Sequence, residues 1–197
     1  MKSPIKKIYA WAALKANSSF SPLWLGVLFV LEIILFIPLD AILILFCLEN
    51  PSRKFLYALI ATVASTIGGV LGYFLGFFLW DVISPYVLGP LISFSFFDRL
   101  CEHYSLYQNW AIFLGSFLPL PFKAVTLSAG VCHLNFFHFI SFVFLARFCR
   151  FFLIAKAVDV WGLQIKTFID KYLGKIILAF GAKIAILFTF FWALGQA

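Results

Sequence analysis

The chain has 197 residues, of which 64% are hydrophobic, 20% aromatic and only 12% charged, with a formal net charge of +7. An ordinary soluble domain is about a quarter charged, so this composition excludes one: there are too few polar residues to cover the apolar ones. Apolar runs of about 20 residues recur along the chain, which makes the bilayer its solvent, and the basic excess flanks those runs in the manner of membrane anchoring, not of nucleic-acid binding.

Residues 1–19 carry Lys2, Lys6, Lys7 and Lys15 without one acid and read as a cytoplasmic basic segment. They contain no central apolar stretch, so no signal peptide is expected. From there to residue 195 a single membrane domain is expected, since no Pro/Gly/Ser-rich linker divides it. Its first segment, Phe20 to Leu48, is too long for one straight span and is interrupted by Glu32, Pro38 and Asp40; a re-entrant pair of half-helices fits better. The basic turn at Arg53 and Lys54 leads into a clean span over 55–80. Gly68, Gly72 and Gly76, with Ala61, Ala64 and Ser65 upstream, lie on one face of it and mark a close packing seam.

An acidic connector over 81–107 follows, with Asp81, Asp98 and Glu102 against Arg99, and is expected outside. Phe96, Leu100, Tyr104 and Tyr107 recur there at helical spacing, as in a helix lying along the interface. The next segment, 110–134, is broken by Pro119 and Pro121 beside Lys123, with Gly130 further on, and reads as a second re-entrant pair. A span over 136–158 holds Arg147 and Arg150; a basic connector over 159–175, starting from Lys156, is expected in the cytoplasm; a last span covers 176–194. If both broken segments are re-entrant, every basic connector falls on the side of the N-terminus. The expected fold is therefore an all-α polytopic membrane protein with two opposed re-entrant helical hairpins and about three spanning helices, in an inverted-repeat, transporter-like architecture.

Five charges fall inside apolar segments: Glu32, Asp40, Lys123, Arg147 and Arg150. Leaving several of them facing lipid costs roughly 10 kcal/mol or more, so they must pair or line a wet cavity. Arg147 and Arg150 share a helix face and point inward together. The strings Ile37-Pro38-Leu39-Asp40-Ala41 and Leu120-Pro121-Phe122-Lys123-Ala124 match, with opposite charge at the fourth position. If the two loops enter from opposite sides their tips meet at mid-membrane, where half-helix N-termini favour an anion such as phosphate. Lys123, Arg147 and Arg150 are then the head-group ligands, and Glu32 and Asp40 the gating or proton-coupling groups. A plain alternative is an ion-pair cluster that only fixes the fold.

Cys47, Cys101, Cys132 and Cys149 form no CxxC pair and read as isolated thiols; His103, His133 and His138 lack ligand spacing. No metal, no cofactor and no Ser/His/Asp, HExxH or phosphate-loop pattern is expected, so an enzyme is disfavoured.

The chain resembles the DedA family of membrane proteins, that is the VTT or SNARE-associated domain, and within it the YqaA-like branch, over about Phe20 to Lys175. The resemblance rests on Glu32 with Ile37-Pro38-Leu39-Asp40, the Glu49-Asn50-Pro51 turn, the run from Gly68 to Gly76, Leu118-Pro119-Leu120-Pro121-Phe122-Lys123 with Ala129-Gly130, and Arg147-Phe148-Cys149-Arg150-Phe151-Phe152. It implies two opposed re-entrant loops and a flippase or scramblase that moves a phospholipid or lipid-phosphate head group, with proton coupling in some bacterial relatives. It also implies that Glu32 and Asp40 are the family's acidic pair and Lys123 the basic residue of the second loop. Many relatives place an arginine near Phe117, where this chain has Ser116-Phe117-Leu118, so the identity of the substrate does not transfer. The expected partners are membrane lipids with protons or cations, without nucleic acid, in the inner membrane with a cytoplasmic N-terminus. A cation/proton antiporter and a non-transporting membrane scaffold or assembly factor are the alternatives.

Overall fold

The computed structural model describes residues 14–34, 39–87, 93–162 and 164. Within them the chain is all helical. In order come α1 (Ser21–Val30), a 3-10 turn (Leu31–Ile33), α2 (Leu39–Glu49), a second 3-10 turn (Pro51–Arg53), α3 (Lys54–Val87), α4 (Phe94–Leu106), α5 (Gln108–Phe117) and α6 (Phe122–Val131). A last long helix, α7, covers Phe136–Gly162. Pro38, most of the basic connector and the expected span over 176–194 lie outside the described residues.

Two of these helices are long and apolar enough to cross a membrane, Pro51–Pro85 and Phe136–Gly162. At 1.5 Å per residue α1 and α2 each reach only about 15 Å, half the thickness of a hydrocarbon core. The first span runs past its expected end at Trp80 to Val87. Pro85 is tolerated there because only the bond to the Asp81 carbonyl is lost, one turn before the helix stops.

By their internal contacts the described residues form two units, one of 14–34, 39–68, 147–162 and 164, the other of 69–87 and 93–146. In the first, Leu25 and Phe29 of α1, Ile42, Leu43 and Phe46 of α2, Tyr57 and Ala61 of α3, and Phe151 and Ala155 of α7 make one buried cluster. Ser21 shares a buried hydrogen bond with Tyr57 at 2.9 Å, while a Cβ placed on Gly68 meets the Val30 carbonyl oxygen at 2.8 Å. These two contacts set α1 alongside α3 in the same direction. The chain then returns through α2: the Asn50 amide donates to the Ala16 carbonyl at 2.8 Å and the Asn17 amide to Glu49 at 3.2 Å, so both ends of the 17–49 stretch meet.

In the second unit, Tyr73, Ile112, Phe122, Ala129, Leu134, Phe139 and Val143 make the core. The Tyr73 hydroxyl donates to the Leu134 carbonyl at 2.6 Å. A Cβ on Gly76 would strike the Leu127 carbonyl oxygen, and one on Gly130 the Tyr73 carbonyl oxygen. The glycine seam is therefore a place where helix backbones nearly touch. Gly72, between these contacts, is buried. Two short helices flank a proline break, α5 ending at Phe117 and α6 starting after Pro121. Ser93 caps α4, its side chain accepting from the Phe96 N–H, and Asn135 caps α7 by accepting from the His138 N–H at 3.1 Å.

One expectation is corrected. Cys101 and Cys132 are not isolated thiols: they form a disulfide, with Cα atoms 5.2 Å apart. Their 31-residue separation crosses two helices, so no short-range spacing could announce it. Cys47 and Cys149 are free thiols. Near the bridge, burial pushes the Tyr104 phenol above its ordinary value of 10.0, so it serves as a neutral donor at any physiological pH.

Candidate functional site

The first unit brings four of the five candidate charges together. The 3-10 turn after α1 ends that helix with Glu32 on it, and α2 opens with Asp40 in its first turn, so the two acids bracket the break between the short helices. Arg147 and Arg150 stand three residues apart on α7. One Arg147 terminal nitrogen lies 3.3 Å from Glu32 Oε1, and Ser65 of α3 donates to Glu32 Oε2 at 2.9 Å. Arg150 grips Asp40 as a fork, Nε to Oδ1 at 3.3 Å and Nη2 to Oδ2. Two cations and two anions thus cancel, as the cost of an unpaired charge in an apolar segment requires.

Burial grades the two pairs. The side chains of Arg147 and Glu32 are 4% and 18% exposed, those of Arg150 and Asp40 13% and 35%. The Arg147 guanidinium also sits 5.5 Å from the centre of the Phe151 ring, a cation–π contact that holds it on the core side of α7. Asp40 gains from its place at a helix N-terminus, where the backbone dipole favours a negative charge. Arg150 thus meets both oxygens of its carboxylate and Arg147 one, and a guanidinium fork of this kind also spans two oxygens of a tetrahedral phosphate.

Sequence reasoning named these four charges but missed Ser65 as a ligand, having placed it only on the packing seam. Its neighbours Thr62 and Thr66, also buried, return their hydroxyls to the carbonyls of Ala58 and Thr62 one turn back. Ser65 alone of the three reaches across to Glu32. Also missed was the join between the start of α3 and the end of α7, where Asp159 takes Lys54 and, at 3.5 Å, Lys156.

Lys123 stands in the second unit, at the second position of α6 just after the break that holds Pro119 and Pro121. Its carbonyl accepts from the Thr126 hydroxyl at 3.2 Å, and no side chain caps that helix start. Among the described residues no group of three or more His, Cys, Asp or Glu is placed to hold a metal.

An apolar groove of about 660 Å³ runs between α1 and α3 in the first unit, lined by Leu23, Gly26, Val27, Val30, Val63 and Ala64 among others. Neither Ser65 nor any of the four paired charges lines it, although Leu31 and Ala64, the sequence neighbours of Glu32 and Ser65, do.

Residues 37–160 match the VTT domain. An uncharacterised protein of Haemophilus influenzae is 33% identical over 147 residues, which cover 73% of this chain and 74% of that one. An uncharacterised protein of Histophilus somni is 35% identical over 140 residues, 71% of this chain and 73% of the relative. No solved structure matches the chain. The domain match takes in Asp40, Ser65, Lys123, Arg147 and Arg150, together with the break at Pro119 and Pro121 and the glycine seam, while Glu32 lies before it. This chain belongs to the VTT-domain, or DedA, family of membrane proteins.

Proposed function

We propose that the protein is a membrane transporter that moves a phospholipid or lipid-phosphate head group across the bilayer, with protons as the coupling ion. The observation that carries the reading is the charge-balanced set Glu32–Arg147 and Asp40–Arg150, assembled at a helix break inside apolar segments. In this reading a proton taken up by Glu32 or Asp40 cancels its negative charge and releases the arginine, which then receives the head-group phosphate; loss of the proton restores the pair and expels the anion. Ser65 holds Glu32 in place during the exchange, and Lys123, in the second unit, is proposed as a further head-group ligand.

Three features support this reading. Family membership is one. The second is that α1, α2, α5 and α6 are each about half as long as a span needs, which suits a pair of re-entrant hairpins. The third is that both carboxylates are taken by guanidinium groups, which favours an anionic substrate over a cation bound by those acids. The protein would be a multi-pass component of the inner membrane.

The test is flipping of a fluorescent phospholipid in liposomes holding the purified protein, read by a quencher confined to the outer leaflet. The expected result is flipping well above protein-free liposomes and strongly reduced by Lys123→Gln. Ion movement without lipid flipping would point to the antiporter. No transport of either kind, from protein that remains folded, would leave the scaffold.

A further inference from the structure

We infer that the Cys101–Cys132 bridge is installed by an exported disulfide donor, and that the membrane face carrying α4 and the 132–135 turn therefore lies on the oxidising side of the bilayer. This inference does not rest on the proposed transport activity.

The bridge joins the middle of α4 to the residue after α6. The loop it closes contains α5, the proline break and α6 with Lys123, so the two ends of that stretch are held at one level. The contact is built on both flanks. Tyr104, one turn along α4 from Cys101, has its hydroxyl 3.5 Å from the Val125 carbonyl and 3.5 Å from the Ser128 hydroxyl, one turn before Cys132. The two surfaces thus fit each other apart from the sulfurs, and a Cα separation of 5.2 Å is that of ordinary disulfides.

Disulfides persist in exported compartments and are reduced in the cytosol. Cys47, in the first unit beside the Lys54 carbonyl at the end of the chain's first returning stretch, is a free thiol. That stretch is closed by the Asn50 and Asn17 hydrogen bonds, which need no oxidant. An independent observation agrees. The connector holding Cys101 carries Asp81, Asp98 and Glu102 against Arg99, whereas the turn before α3 carries Arg53 and Lys54, and loops poor in Lys and Arg are the exported ones.

The chemistry balances by exchange. The thiolate of one cysteine attacks the disulfide of an oxidoreductase, a mixed disulfide forms, and the second thiolate displaces the donor, which leaves as its dithiol. The two protons and the electron pair of the cysteine pair pass to the donor. The partner is thus a disulfide-donating oxidoreductase of the exported compartment.

The test is a thiol count in cells quenched with acid, denatured, and treated with a maleimide that adds a fixed mass per thiol. Wild type should gain two adducts without reductant and four after it, and all four without reductant in cells lacking the exported donor. Reduction of the purified protein should lower Tm by about 10 °C, as expected for opening a loop of this length. A second arm uses Ser95→Cys in a chain with Cys47→Ala and Cys149→Ala, which keeps the bridge; an impermeant maleimide should reach the new thiol from outside intact cells. Four free thiols in quenched wild-type cells overturn the inference, as does labelling of the Ser95→Cys chain only after the cells are opened.

Discussion

At the scale of single residues, the two ion pairs differ in burial, and burial decides how each responds to losing a charge. Arg147 is almost fully enclosed, so Glu32→Gln strands a cation away from water, which costs about 3–5 kcal/mol. Asp40 is more than a third exposed at the side chain, and water screens what remains when it is neutralised. Glu32→Gln is therefore expected to lower the melting temperature in detergent clearly more than Asp40→Asn. Equal losses, or a larger one for Asp40→Asn, contradict this ranking. Arg150→Lys tests geometry with charge held constant, because lysine cannot reproduce the fork that reaches both oxygens of Asp40. Losing one charge-assisted hydrogen bond, about 1.5–3 kcal/mol, lowers transport roughly 10- to 100-fold if the same fork binds the head group. Flipping rates of this variant at matched protein density give the answer, and a rate within twofold of wild type removes the fork from the mechanism.

At the scale of elements, the glycines separate into those a methyl group would break and those it would not. Gly76 and Gly130 face backbone carbonyls of Leu127 and Tyr73, which cannot swing aside as a side chain can. Gly76→Ala and Gly130→Ala are each expected to cost about 1–3 kcal/mol by forcing α3 and α6 apart. Gly26→Ala is the control: its nearest neighbour is an Ile60 methyl at 3.5 Å, ordinary contact, and the change should be neutral or slightly stabilising through helix propensity. Thermal denaturation of the three variants side by side decides it; a neutral Gly130→Ala would mean that the two helices do not approach as described. The seam itself was legible, since three glycines four apart on an apolar helix have few other uses. That Gly130 answers it from another helix was not, because the spacing of one residue on α6 says nothing about what it packs against.

For the whole molecule, the charges were legible for an energetic reason and their partners were not. An ion in hydrocarbon must be paired, so the sequence alone demanded neutralisation of Glu32, Asp40, Arg147 and Arg150. Which acid meets which arginine depends on how α1, α2 and α7 are rotated in the core around Phe29, Phe46 and Phe151, and that packing carries no local signal. The disulfide was illegible for the same reason, since only the return of α6 to α4 brings Cys132 to Cys101. The break at Pro119 and Pro121 was legible because proline acts on its own helix, within four residues.

The charge balance of the first unit also sets how the whole protein should respond to a proton gradient. With both carboxylates ionised the four charges sum to zero and each arginine is occupied, so an anion can enter only if a carboxylate is protonated or displaced. In the proposed mechanism, protonation at one face and release at the other would make lipid movement follow the gradient. Flipping in liposomes should accelerate when a pH difference is imposed and fall back when an ionophore collapses it. Asp40→Asn removes the more accessible of the two carboxylates, so this variant should respond to the gradient clearly less than wild type, through Glu32 alone. If the pairs only fix the fold, the gradient has nothing to act on: wild type and Asp40→Asn will show the same pH response, and any difference between them will track the amount of folded protein. Measuring both rates against the folded fraction, from size-exclusion profiles of the same preparations, separates the two outcomes.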